Sequence, residues 1–206
     1  MDSPQFLYFD LGNVLVTFDV GVMCRQMAEV AGITPARVME VVFDGRLQGR
    51  YELGAITTRQ FYESFCRATG TAPDCDVLLN AASDIFHLRP SIVPIVAHLR
   101  EADYRLGILS NTCESHWEHC RRRFAILDGL FEVYALSCRI GSAKPDAAIY
   151  RAAAELAGVE PADIFFTDDV PGHVAGARAA GLDAVQFTSV PQLVDDLRSR
   201  GLRFNY

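Results

Sequence analysis

Hydrophobic residues along this chain gather in two patterns. One is a short, nearly continuous apolar run that stops on a polar residue: QFLYFD at the start, YRLGILSNT at 104–112, FEVYALSCRIG at 131–141, DIFFTDD at 163–169 and DAVQFT at 183–188. The other is a stretch with apolar residues three and four apart, as in PSIVPIVAHLREAD, DAAIYRAAAELAG, PGHVAGARAAG and VPQLVDDLRSRG. The first pattern predicts strands buried on both faces and the second predicts amphipathic helices. Gly158, Gly181 and Gly201 close three of these helices where a left-handed cap residue belongs. Strands alternating with helices predict an α/β fold, a parallel sheet flanked by helices.

One interval breaks the alternation. Between the first strand and YRLGILSNT lie VGVMCRQMAEVAG, TPARVMEVVFDG, TTRQFYESFCRATG and DCDVLLNAASDIF, all helical in period. Val38, Val41 and Val42, and Phe61, Tyr62 and Phe65, recur at helical spacing and are expected to form a small core of their own. The predicted organisation is a catalytic core from 1–17 and 87–206 with a helical cap inserted at 18–86. Within the cap, the glycines of DGRLQGRYELGA suggest a loop reaching toward the sheet. Arg46, Arg50 and Tyr51 lie in it, and an arginine there is either a surface residue or a reader of a sugar hydroxyl or phosphate.

Composition narrows the partners. The chain has 206 residues, half of them hydrophobic, and a net charge of −7. No basic surface for nucleic acid is expected, and the one basic run, Arg121-Arg122-Arg123, reads as a solvated helix end. No apolar run approaches the ~18 residues of a membrane span, and MDSPQ does not begin a secretory signal. The six cysteines form no CxxC pair, which predicts reduced thiols in a cytoplasmic protein. CESHWEHC places Cys113, His116 and Cys120 on one helix face without zinc-knuckle spacing. Packing is expected of the cysteines, with the histidines partly exposed and Trp117 a core anchor.

In an open parallel sheet, ligands bind beyond the carboxyl ends of the strands. Those ends carry Asp10, then Ser110, Asn111 and Thr112, then Lys144 through the turn after the third strand, and last Asp168-Asp169. Taken singly, each has a plain explanation: a turn residue, an N-cap, a solvated lysine, a helix cap. Together, in chain order, they predict a reaction centre suited to phosphoryl transfer through an aspartyl-phosphate. Asp10 would attack, Mg²⁺ would balance the carboxylates, and Ser110 and Lys144 would hold the phosphoryl oxygens. Gly12 would let the backbone bend and turn a carbonyl to the metal.

The same residues resemble the haloacid dehalogenase superfamily over essentially the whole chain. FDLGNVLV is similar to its first motif, LGILSNT to its second, AKPDAAIY to its third and IFFTDDVPGHVAGARAAGL to its fourth, with a helical cap between the first two. The nearest branch is the sugar-phosphatase type that includes bacterial α-D-glucose-1-phosphate phosphatase, which GRYELGAITTRQFYESFC in the cap also resembles. The resemblance implies Asp10 as nucleophile and metal ligand, the Gly12 carbonyl and Asp169 as further ligands, and Asp168 as a supporting acid. It implies Ser110 and Asn111 as phosphoryl-binding residues and Lys144 as the partner of the phosphoryl group and of Asp10. The substrate would be a small phosphorylated metabolite such as a hexose 1-phosphate.

Two departures stand out. Gly12 replaces the acid that usually protonates the leaving alcohol, help typically worth about 10²–10⁴-fold. An anomeric sugar oxygen, a better leaving group, would suffer less from its loss. His173 stands where Asn or Asp is commoner. The alternatives are a dehalogenase-type carbon–halogen hydrolase, which the acidic pair Asp168-Asp169 disfavours, and a low-turnover protein that only binds phosphate ligands.

Overall fold

The computed structural model describes residues 3–206. Strand β1 (Phe6–Phe9) is followed by β2 (Val16–Phe18) and the cap helices α1 (Val20–Ala31), α2 (Pro35–Met39), α3 (Leu47–Glu52), α4 (Thr58–Thr69) and α5 (Cys75–Ser83). The chain returns through β3 (Phe86–Leu88) to α6 (Val93–Glu101), β4 (Arg105–Ser110), α7 (Glu114–Arg123), α8 (Ile126–Gly129) and β5 (Val133–Leu136). It ends with α9 (Ser137–Ile140), α10 (Ala147–Ala157), β6 (Ile164–Asp168), α11 (Pro171–Ala179), β7 (Asp183–Gln186) and α12 (Val190–Ser199).

Five strands form one parallel sheet in the order β5-β4-β1-β6-β7. The order places β1 at the centre, and all four of its residues are buried. Because successive side chains of a strand point to opposite faces, Leu7 and Phe9 join one apolar cluster and Phe6 and Tyr8 the other. Helices cover both faces, so neither side of the sheet meets water. The predicted α/β architecture is therefore present, with strand ends trimmed by one to several residues. The largest trim is at 131–141, where pairing stops at Leu136 and Ser137–Ile140 turn into α9.

Three features differ from expectation. First, β2 and β3 form a two-stranded antiparallel hairpin, pairing Val16 with Leu88 and Phe18 with Phe86 across the insertion. Both strands have three residues, too short to show a period in sequence. Second, the valines and aromatics of the cap do not form a separate core. Val38, Val42, Phe61 and Phe65 belong to the same cluster as Leu7, Phe9 and Trp117. Third, the stretch read as a glycine-rich loop contains α3, whose Leu47, Gln48 and Tyr51 are buried. A Cβ at Gly49 within it would meet nothing, so no close approach calls for a glycine there, and the helix is carried by the packing of its buried neighbours.

Candidate active site

The loop after β1 is tight. The Asp10 N–H donates to the Thr167 carbonyl at 3.0 Å, extending the β1–β6 pairing, and the N–H groups of Leu15 and Val16 both donate to the Leu11 carbonyl. The sharp turn falls at Asn13, whose φ is 56°, and not at Gly12. Asn is among the few residues that tolerate this region. Gly12 has a different reason to lack a side chain, since a Cβ there would lie 3.0 Å from Cε1 of Phe18. The close neighbour of that position is the Phe18 ring, and the left-handed turn lies one residue on.

Asp10, Lys144 and Asp168 meet in a buried ion cluster. Lys144 Nζ donates to Asp10 Oδ1 at 2.8 Å, to Asp168 Oδ2 at 2.5 Å and to the Leu109 carbonyl at 3.0 Å. Three protons thus meet three acceptors, which satisfies an ammonium that is itself almost wholly buried. This removes the simpler reading of Lys144 as a solvated residue. The lysine is aimed by Asn111, whose Nδ2 donates to the Lys144 carbonyl at 2.9 Å while its Oδ1 accepts from the Lys144 N–H at 2.8 Å. Sequence spacing put Asn111 at the site, but it did not show that both ends of its amide clamp the lysine backbone.

Asp168 is fully buried and has three polar partners. Besides Lys144, its carboxylate accepts from the Val170 N–H at 2.8 Å and lies 3.1 Å from His173 Nδ1 through each oxygen. Burial alone would raise its pKa, but the His173 hydrogen bond and the lysine charge overrule that and hold it below the ordinary carboxylate value. His173, the departure noted in sequence, therefore supports Asp168. At Asp10 the balance goes the other way. Burial is the largest influence and pushes the carboxyl up to about 6, with Lys144 opposing and the Asp168 charge adding to the rise.

Asp169 completes the group. Asn13 Nδ2 donates to its Oδ2 at 3.1 Å, tying the loop after β1 to the end of β6. Asp10, Asp168 and Asp169 each bring a carboxylate oxygen within 4.8 Å of the others, the one such ligand cluster among the described residues. Three carboxylates and one ammonium leave two negative charges unbalanced, the complement of a divalent cation. All-oxygen donors suit a hard metal such as Mg²⁺. Ser110 lies at the end of β4, 2% exposed, with only a long 3.5 Å contact from its hydroxyl to the Asn111 carbonyl.

The cap reaches the loops beside this site through α3, not through Arg46. Arg46 is exposed ahead of that helix, and Arg50 lines a surface groove with Arg37 and Glu40. Instead, Ser137 Oγ donates to the Glu52 carbonyl at 2.6 Å and accepts from the Thr112 N–H at 2.9 Å. The Tyr51 hydroxyl accepts from the Ser115 N–H at 3.1 Å. Gly54 packs so closely that a Cβ would sit 2.1 Å from the Cys138 carbonyl oxygen, at a backbone φ of +66°. Cys113 and Cys120 are buried, His116 is buried edge-on to Phe86 rather than partly exposed, and all six cysteines are free. Trp117 is buried against Tyr134, as expected of an anchor.

Comparison with known proteins agrees with this architecture. The chain is 28% identical to phosphatase MT3486 of Mycobacterium tuberculosis (strain CDC 1551 / Oshkosh) over 190 residues, 88% of this chain and 86% of that one. Its fold matches a predicted HAD-like family hydrolase from Porphyromonas gingivalis with a TM-score of 0.83 at 24% identity, covering 95% and 98% of the two chains. It matches the magnesium complex of the HAD family enzyme BT-2542 from Bacteroides thetaiotaomicron with a TM-score of 0.82 at 24% identity, covering 94% and 99%. The family model for haloacid dehalogenase-like hydrolases matches residues 9–181, from the residue before Asp10 to the end of α11 and its closing glycine, and the chain belongs to that family of hydrolases.

Proposed function

We propose that this protein is a Mg²⁺-dependent phosphomonoesterase acting on a small phosphorylated metabolite, a sugar phosphate such as a hexose 1-phosphate. The observation that carries the reading is the convergence of Asp10, Asp168 and Asp169 around the buried Lys144 at the carboxyl edge of the sheet. A phosphatase among the relatives, and a solved relative of the same fold in complex with magnesium and inorganic phosphate, support it. The cap segment's likeness to the α-D-glucose-1-phosphate phosphatase branch supports the sugar.

In this reading Asp10, Asp169 and the Gly12 carbonyl hold the metal, and bound Mg²⁺ supplies positive charge to the phosphoryl group. Asp10 attacks phosphorus with one carboxylate oxygen, the ester P–O bond breaks, and the leaving oxygen departs as the alcohol after taking a proton from water. A second water then attacks phosphorus of the aspartyl-phosphate and regenerates Asp10. Lys144 keeps its charge beside Asp10 throughout, and Asp168, braced by His173, keeps Lys144 in place. Ser110 and the backbone near Asn111 hold phosphoryl oxygens. The unbalanced negative charge of the site separates this reading from metal-free carbon–halogen hydrolysis.

One observation favours a second reading. Position 12 carries no acid, so the protein would bind phosphate ligands with little turnover. Phosphate release from hexose 1- and 6-phosphates, with Mg²⁺ or EDTA, for wild type and Asp10→Asn, decides between them. The phosphatase reading expects Mg²⁺-dependent release that favours anomeric phosphates and vanishes in Asp10→Asn. Tight binding without release from any of them would leave the second reading standing.

A further inference from the structure

Phe18 is the apolar residue that most needs an explanation. It is 40% exposed, although its partner Phe86 across the hairpin is 6% exposed. Its ring sits against Gly12, 3.0 Å from the point where a Cβ would be. Gly12 lies two residues after Asp10 of the ion cluster and directly before Asn13, which holds Asp169. The ring therefore stands beside the loop that carries Asp10 and Asn13, in the volume that a side chain at position 12 would enter. It is held there from behind by Phe86, with ring centroids 5.7 Å apart, and Phe86 rests in turn on His116 at 5.2 Å. The strand that carries it is fixed by the pairing of Phe18 with Phe86, at the point where the chain leaves the core for the cap.

From this placement we propose that Phe18 determines specificity, its exposed ring forming the wall against which the leaving group lies. The substrate class is a phosphate ester whose oxygen is borne on a ring with an apolar face, an anomeric sugar or a phenol. Both parts follow from the same geometry. A ring in place of an acid withholds a proton donor, so the leaving oxygen must be acidic enough to depart with a proton from water. An exposed aromatic face then gains contact area from a flat apolar body and little from a flexible polyol. The inference deepens the phosphomonoesterase reading and rests on it.

The test compares wild type with Phe18→Ala and Phe18→Leu on three phosphate esters and one acyl phosphate. Glucose 1-phosphate and phenyl phosphate carry a ring, glycerol 3-phosphate does not, and acetyl phosphate is activated and has no apolar face. Phe18→Ala is expected to raise KM for the two ring esters about three- to tenfold, the scale of one aromatic contact. Acetyl phosphate should change less than about twofold, and Phe18→Leu should fall between. A uniform loss on all four substrates, or no change on the ring esters, overturns the proposal. If the wild type cleaves none of them, the phosphatase reading fails separately. Calorimetric binding of phenyl phosphate relative to inorganic phosphate then decides: a preference for the phenyl ester that disappears in Phe18→Ala supports the wall, and equal affinities overturn it. A second pair of variants tests the displaced volume. Gly12→Asp should gain little alone and more when combined with Phe18→Ala, and equal rates for the two would show that the ring does not occupy the place of an acid.

Discussion

Replacing Lys144 by Met keeps the length and much of the volume of the side chain but removes its charge. Lys144 Nζ serves Asp10, Asp168 and the Leu109 carbonyl at once, so the change strips the cation from two buried carboxylates. Removing one partner of a buried ion pair typically costs about 3–5 kcal/mol, mostly because the remaining charge is left uncompensated. At about 2.1 cal/mol/K per residue, the unfolding entropy of a 206-residue chain converts this to a fall in Tm of about 7–12 °C. The sign with pH is equally definite. Burial already raises Asp10 to about 6, and losing the ammonium raises it further above its unfolded value; Asp168, held below its unfolded value in the wild type, loses that depression. A raised folded pKa means stability that is present at low pH and lost as pH rises through it. Thermal unfolding of Lys144→Met without metal should therefore show a partial deficit near pH 5, where the stability from the lowered Asp168 pKa is already lost, and a larger deficit near pH 8 as Asp10 ionises, with partial recovery in Mg²⁺. A loss below about 1 kcal/mol, or one independent of pH, would refute the charge argument and leave only a packing effect.

Three further outcomes follow from other contacts. Mg²⁺ must displace the proton that burial holds on Asp10, so its apparent affinity should be level above about pH 7 and weaken toward tenfold per unit below about 6; a titration at four pH values checks this. Gly54→Ala forces a Cβ into the Cys138 carbonyl at a left-handed backbone position, and should cost more than about 2 kcal/mol in urea unfolding. His173→Ala removes the brace on Asp168 and should slow phosphate release about tenfold with KM little changed, while His173→Asn keeps part of the rate.

Much of the site was legible because its residues end strands, and strand ends can be counted without coordinates. Asp10, Ser110 and Asp168 each follow an apolar run, and Lys144 precedes a proline in the turn after β5 and α9. What could not be read was how side chains pair across distant segments. The clamp of Asn111 on Lys144 joins residues in separate loops, and the brace of His173 on Asp168 depends on how α11 sits against β6. The β2–β3 pair shows no period because three residues per strand are too few, so nothing in the sequence links Phe18 to Gly12. The backbone bend expected at Gly12 belongs to Asn13, which has the positive φ. The single core shared by cap and sheet was hidden for a related reason. Helical spacing shows which face of a helix is apolar but not what that face packs against.

The central claim is that Asp10 becomes phosphorylated. The most direct test mixes the Mg²⁺-loaded protein with glucose 1-phosphate or acetyl phosphate, quenches in acid within milliseconds, and weighs the peptide that contains Asp10. The account predicts a transient gain of one phosphoryl group on that peptide, absent from Asp10→Asn and from samples in EDTA. Steady phosphate release with no such species at any time, and with Asp10→Asn still active, would contradict it.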